Sequence, residues 1–324
     1  MSEIPQAIAQ FNGLPVADYS EGAEDWNLQV IVSSLRSIRE RSALASRHQQ
    51  CVLQLPSREL LADVVDGLND ALFPHRLGIP ETDYFVGHTL DASLRLLEDQ
   101  IHIELNFSSP YLNSDPDISS LLKRQAQAVV GAFAAQLPAI RSLLELDIAA
   151  AFHGDPAAGS LDEVLVCYPG VKAITYHRFA HALYRLGVPV IARIIAEISH
   201  STTGVDIHPG AVIGESFFID HGSGVVIGGT AVIGNGVRLY QAVTLGAKHF
   251  PVDDDGHLIK GEARHPIIED NVVIYAGATV LGRITIGRGA TIGGNVWITR
   301  SIPAGTTITQ AKARQEVFGE GSGI

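Results

Sequence analysis

Histidine is the side chain best suited to moving protons near neutral pH and a common metal ligand, and His208, His221, His249, His257 and His265 fall close together in the C-terminal half of this chain. Two of them have distinctive surroundings. His221 lies in DHGSG (220–224), and Asp206 precedes it by 15 residues. In a chain that returns on itself about every eighteen residues, that interval puts a carboxylate beside the imidazole on an adjacent level. There the carboxylate would fix the ring's tautomer and stabilise its charged form while the ring takes a proton from a hydroxyl. His265 stands between Arg264 and Pro266, at the return of a polar stretch. His208, His249 and His257 read as solvated corner residues.

The surrounding pattern supplies such a return. Ile268, Ile274, Val280, Ile286, Ile292 and Ile298 are each six apart, and Val272, Ala278, Ile284, Ala290, Val296 and Ile302 form a second column. A helix needs apolar residues at a 3.6 spacing and a flat strand alternates, so neither fits. A six-residue beat describes short strands joined at corners, the hexapeptide form of a parallel β-helix. The same columns run upstream from Val205 and Ile207, and both slip by two residues between Ile219 and Val225, around His221. The beat stops again at Lys248 and resumes near Ile267, so residues 248–265 predict a loop leaving the prism.

Before residue 200 the pattern is helical. Leu28, Ile31, Leu35 and Ile38 share one periodic face, and a long apolar run at 118–146 is interrupted by Pro138. Asp91 and Asp117 are expected as helix caps, and Pro169 opens a helix ending near Gly187. The expected organisation is α+β: a loose N-terminus (1–23), an all-helical domain (24–199), a left-handed parallel β-helix of hexapeptide repeats (200–303), and a tail (304–324). Thirty-five acidic against 23 basic residues, a formal charge of −12, argue against nucleic acid and against anionic membranes. Two cysteines make no disulfide framework, and no leader or membrane span is visible. A cytoplasmic protein is expected.

Three motifs, VDIHPG (205–210), IDHGSG (219–224) and ARHP (263–266), resemble those of the serine O-acetyltransferase family. VTLGA (243–247), IYAGATVLG (274–282), IGRGATIGGN (286–295) and DIAAAFHGDP (147–156) continue the likeness in order, over roughly 144–302. The resemblance implies transfer of an acetyl group from acetyl-CoA to the hydroxyl of L-serine, with no tightly bound cofactor and no metal. It gives His221 the role of general base and Asp206 that of its support. Asp155 and Asp220 would hold the substrate ammonium, Arg264 its carboxylate, and His265 would complete the pocket. Ala247, Ala276 and Gly294 would let the pantetheine of acetyl-CoA approach backbone.

It further implies a homotrimer or dimer of trimers, feedback inhibition by cysteine, and binding of O-acetylserine sulfhydrylase through a tail ending at Ile324. The chain departs from the family at Gly229, where glutamate is common, at Ala247, where a second glycine is common, and in the length of the 248–265 insertion. Two other chemistries compete with this one. The acceptor could be another hydroxyl, as in homoserine or a sugar. Alternatively, three histidines of a related prism could bind zinc, as in γ-type carbonic anhydrases.

Overall fold

The computed structural model describes residues 26–45, 54–74, 78, 82–108 and 116–310. Ile324 lies outside them. The chain divides into two compact units, Met1–Val52 and Leu53–Ile324. In the first, helix α1 (Leu28–Ala45) carries Leu28, Ile31, Leu35 and Ile38 at the predicted spacing, all of them exposed.

The second unit starts with α2 (Arg58–Leu72), α3 (Asp83–Ser108), α4 (Pro116–Ala134), α5 (Leu137–Gly154), α6 (Leu161–Cys167), α7 (Pro169–Arg185) and α8 (Pro189–Thr203). Pro138 falls in the first turn of α5, where its missing N–H is tolerated, so the long apolar run breaks into α4 and α5 there. Two expected caps are corrected. Thr82 caps α3, accepting the Phe85 N–H at 3.1 Å, so Asp91 lies inside that helix and pairs with Arg95. Asp117 sits in the first turn of α4, after Pro116. No single helix among the described residues is long and apolar enough to cross a membrane.

After α8, Gly204 adopts a left-handed conformation (φ 71°) that ends the helix and turns the chain into the first coil. The strands are β1 (Asp206–Ile207), β2 (Val212–Ile213), β3 (Phe218–Ile219), β4 (Val226–Ile227), β5 (Val232–Ile233), β6 (Arg238–Leu239), β7 (Thr244–Gly246), β8 (Ile267–Ile268), β9 (Val273–Ile274), β10 (Thr279–Leu281), β11 (Thr285–Ile286), β12 (Thr291–Ile292), β13 (Trp297–Ile298) and β14 (Thr307–Ile308). They stack as three parallel sheets, β1-β4-β7-β10-β13, β2-β5-β8-β11 and β3-β6-β9-β12-β14, the faces of a triangular prism. With the helices before it, this is the expected α+β chain ending in a left-handed parallel β-helix.

Register explains both interruptions. Val226 pairs with Thr244, 18 positions on, and Thr279 with Trp297, also 18. Asp206 pairs with Val226 after 20, so the first coil holds two extra residues, at the slip around His221. Thr244 pairs with Thr279 after 35, because the insertion is extruded between β7 and β8. The inward columns are buried through nearly every coil, from Val205 and Ile207 to Ala290 and Ile292. Each such side chain contributes about 1.5–3 kcal/mol for leaving water. The chain does not leave the prism at Pro303: β14 first adds to β12, with Thr307 opposite Thr291.

The helices are fastened to the first coil by a buried ion pair. Arg178 of α7 donates from Nε and Nη2 to Asp147 of α5 at 2.6 and 2.9 Å, and from Nη2 to Gly214 O at 2.8 Å. Asp147 also accepts the Phe217 N–H at 2.9 Å. Gly170 brings the start of α7 onto β3: a Cβ there would lie 2.1 Å from the Ile219 carbonyl oxygen. Both contacts immobilise the stretch leading to His221.

Candidate active site

The two extra residues of the first coil form a tight corner. His221 is in the left-handed region (φ 59°), which costs a non-glycine residue about 1 kcal/mol, and Gly222 and Gly224 follow it with positive φ. Gly222 N–H donates to Asp220 O at 2.7 Å and Gly224 N–H to Gly204 O at 2.9 Å, which fixes this corner beside the one that opens β1. The result lifts the imidazole into solvent, its side chain 71% exposed, with Nε2 3.9 Å from Asp220 Oδ1.

Two carboxylates face this ring, and each has its own protein donors. Asp220 is buried and its Oδ2 accepts from Arg238 Nη2 at 2.8 Å. Asp155, the residue ending α5, accepts from Tyr168 Oη at 2.5 Å and from the Ala157 N–H at 2.8 Å. The Tyr168 bond chiefly holds the Asp155 carboxyl below the usual carboxylate range, and it pushes the phenol up to about 12. Arg238 lies over the rings of Phe218 and Tyr240, at 4.9 and 4.6 Å, and Tyr240 stacks on Tyr275.

Asp206 is placed differently. It lies half-buried on β1 against the end of α8, where its carboxylate, Glu197 and His200 present ligand atoms within 4.8 Å of one another. Among the described residues no hydrogen bond or ion pair joins Asp206 to His221. The structure thus gathers Asp155, Asp220 and His221, and leaves Asp206 on the adjoining level without contact.

Ala276 and Gly294 lie on the same prism edge as His221. Backbone bonds climb this edge from Ala242 N–H to Ser223 O, Gly277 N–H to Gln241 O and Asn295 N–H to Ala276 O, at 2.8 to 2.9 Å. A Cβ on Gly294 would sit 3.0 Å from Ala276 O, so the edge is narrow there. Ala247, Arg264 and His265 belong to another edge, between β7 and β8. His265 is buried: Thr230 donates its N–H to Nδ1 at 3.1 Å, and the hydroxyl lies 2.8 Å from the same nitrogen. An acceptor at Nδ1 leaves the ring proton on Nε2. Burial first, then Arg264, His208 and Arg283, push His265 down to about 4. The Arg264 guanidinium lies 5.8 Å from the Phe250 ring centroid, and its buried Nε–H has no partner among the described residues. Beside it, Lys248, His249, Glu262, Arg264 and Arg283 line a cleft of about 250 Å³.

His208 is a correction, because it is not a solvated corner residue. Its Nδ1 accepts the Gly210 N–H at 3.0 Å, its ring meets Tyr184 edge-on, and burial lowers its affinity for a proton. A Cβ on Gly229 would lie 2.6 Å from that ring. His249 and His257 are exposed on the insertion, as expected. Sequence reasoning missed Tyr168, Arg238 and Thr230. Arg238 left one signal: with Asp206 it is a charged residue at a strand position whose column is otherwise filled by Val, Ile, Thr and aromatics. Neither of the two metal-competent groups among the described residues, Glu197–His200–Asp206 and Asp253–Asp255–His257, holds three histidines.

Comparison with known proteins places the chain among acetyltransferases. A profile of the bacterial transferase hexapeptide (six repeats) matches residues 265–300. A plasmid-encoded serine acetyltransferase of Synechococcus elongatus is 54% identical over 96% of this chain and 99% of its own length. Serine acetyltransferase isoform 3 of Entamoeba histolytica, solved in complex with cysteine, superposes with a TM-score of 0.67 at 37% identity, covering 80% of this chain and 84% of that one. Soybean serine acetyltransferase complexed with serine matches at a TM-score of 0.51 and 32% identity, covering 78% and 96%.

Proposed function

From a chain that belongs to the serine acetyltransferase family, we propose a direct acetyl transfer in which His221 is the general base. The observation that carries this reading is the imidazole standing free at its corner between two carboxylates already tied to protein donors. Asp155 and Asp220 are suited to an α-ammonium. They favour L-serine or a close amino acid over a sugar, and the absence of a three-histidine group among the described residues gives the zinc reading no support.

The base takes the proton of the serine hydroxyl. The oxygen attacks the thioester carbonyl carbon of acetyl-CoA, the family's co-substrate, and the carbon–sulfur bond breaks. The departing thiolate recovers the proton from the imidazolium. Proton transfer of this kind is worth ~10²–10⁴ in rate. Asp206, on the adjoining level, is the support that the family resemblance assigns to His221.

Arg264 and His265 complete the serine pocket from a neighbouring copy, because they lie on a different edge of the prism from His221. A closed ring in which one edge of each copy meets the other edge of the next makes three such sites, and helical domains then pair two trimers. The partnerless Nε–H of Arg264 suits the substrate carboxylate. Acetyl-CoA lies along the groove between copies, against Ala276 and Gly294 on one side and Ala247 on the other. Cysteine, the molecule bound in the Entamoeba relative, carries the same ammonium and carboxylate as serine and competes for the same groups. The tail ending at Ile324 docks O-acetylserine sulfhydrylase, and deleting Ile324 should abolish that binding while leaving acetylation intact.

Thiol release from acetyl-CoA with L-serine, L-homoserine and no acceptor tests the reaction. Release that requires serine and is much weaker with homoserine supports the reading. Equal release without an acceptor refutes it.

A further inference from the structure

Arg238 is a charged residue inside the catalytic corner that the transfer chemistry above does not use. It reaches from β6 to the buried Asp220 and binds Oδ2 at 2.8 Å, while the other oxygen of the same carboxylate faces His221 Nε2 at 3.9 Å. Its guanidinium is held between the Phe218 and Tyr240 rings, and its Nη1 approaches the Gly154 backbone next to Asp155. The buried Nε–H has no acceptor among the described residues. A cation is thus fixed on the far side of the carboxylate nearest the base, with aromatic walls that restrict its movement.

We propose that Arg238 is a positioning residue that holds Asp220 in place and offsets its charge, so that His221 stays free of a proton and able to accept one from serine at neutral pH. The inference rests on His221 being the base. Without Arg238, two uncompensated carboxylates would favour the imidazolium, which cannot act as a base. The other groups facing His221 are Asp220 beside it, Asp155 at the end of α5, Tyr168 before α7, and Asp206 on the next level; the proposed assembly adds Arg264 and His265 from a neighbouring copy. None of these residues is itself substituted when Arg238 alone is replaced, and Asp220 is the one that loses its partner. Arg238 is also largely buried against two aromatic rings, which distinguishes it from the exposed Arg95–Asp91 pair.

The test is the pH dependence of kcat/KM for L-serine, which reports ionisations in the free enzyme. The wild-type enzyme, Arg238→Lys and Arg238→Gln are compared, with His221→Ala as the control for the underlying reading. The acid limb should move to higher pH by about one unit in Arg238→Gln. Its deficit should then approach about tenfold on the acid side of the limb and largely vanish well above it, while KM for acetyl-CoA is unchanged. Arg238→Lys should keep the limb near the wild-type position. Should Arg238→Gln fail to fold, Arg238→Met keeps an unbranched side chain against Phe218 and Tyr240 and makes the same prediction. A uniform loss at every pH, or a limb that stays or moves down, overturns the proposal. Full activity in His221→Ala would instead remove the base assignment beneath it.

Discussion

On the edge at 220–224, Asp155 and Asp220 are each tied to donors of this chain, by Tyr168, the Ala157 N–H and Arg238. On the edge at 248–266, Arg264 keeps a buried Nε–H without an acceptor among the described residues, and His265 is buried neutral on Thr230. The first edge is also backed by a helix, where Gly170 at the start of α7 lies against Ile219, whereas the second ends in an exposed insertion carrying Phe250, Val252 and Leu258 at its surface. The difference suggests a division of labour. The helix-backed edge fixes the base and an ammonium site in advance, and the insertion edge presents cationic donors to an anion supplied by substrate.

The comparison breaks most decisively at His221. Replacing it with Ala should lower kcat by at least ~10²-fold with little change in thermal midpoint, because the ring is exposed; near-normal turnover would remove it as the base. Asp147→Ala should destabilise the fold by about 3–5 kcal/mol, since it strands the buried Arg178 without a counter-charge. Denaturant unfolding measures this, and a loss below about 1 kcal/mol would mean that the helices are not held through this pair.

On the insertion edge, Arg264→Gln should raise KM for serine about 10- to 100-fold, the worth of a charged hydrogen bond. KM for acetyl-CoA should be much less affected, and equal effects on both would contradict a carboxylate role. An unfolded histidine takes its proton near 6.5, while His265 in the fold does so only near 4. The unfolded state therefore binds more protons between those values, and stability falls as pH drops from about 6.5 to about 4. His265→Asn should flatten the decline in thermal midpoint across that window, and an unchanged slope would place the acid sensitivity elsewhere. The smallest effect expected is from Arg95→Ala, with no measurable change in thermal midpoint, because both it and its partner Asp91 are exposed.

Much of the prism was legible in the sequence because its inward columns are a one-dimensional property of the chain. Val205, Ile207 and their successors repeat on a fixed beat, and two extra residues at 220–224 disturb both columns at once. Asp91 misled because a polar residue before an apolar run looks like a cap, although the apolar face begins earlier, after Thr82. His208 misled because its burial depends on Tyr184, in a helix distant in sequence, and on a glycine at 229. Tyr168 and Arg238 reach the site across 13 and 18 positions to Asp155 and Asp220. No periodicity records such pairings, since they depend on how α7 and β6 lie against the corner. Asp206 was singled out by coil length, and the coil does return, but it brings this carboxylate next to His200 and Glu197.

The division between the two edges is tested most directly by complementation. His221→Ala and Arg264→Gln proteins, each nearly inactive at low serine, are co-expressed with different affinity tags, and mixed oligomers are isolated through both tags. A site shared between copies predicts that the mixed oligomers acetylate serine well above either parent, because one interface in the ring then pairs an intact His221 with an intact Arg264. Mixed oligomers no more active than their parents would show that the two edges do not serve one active site.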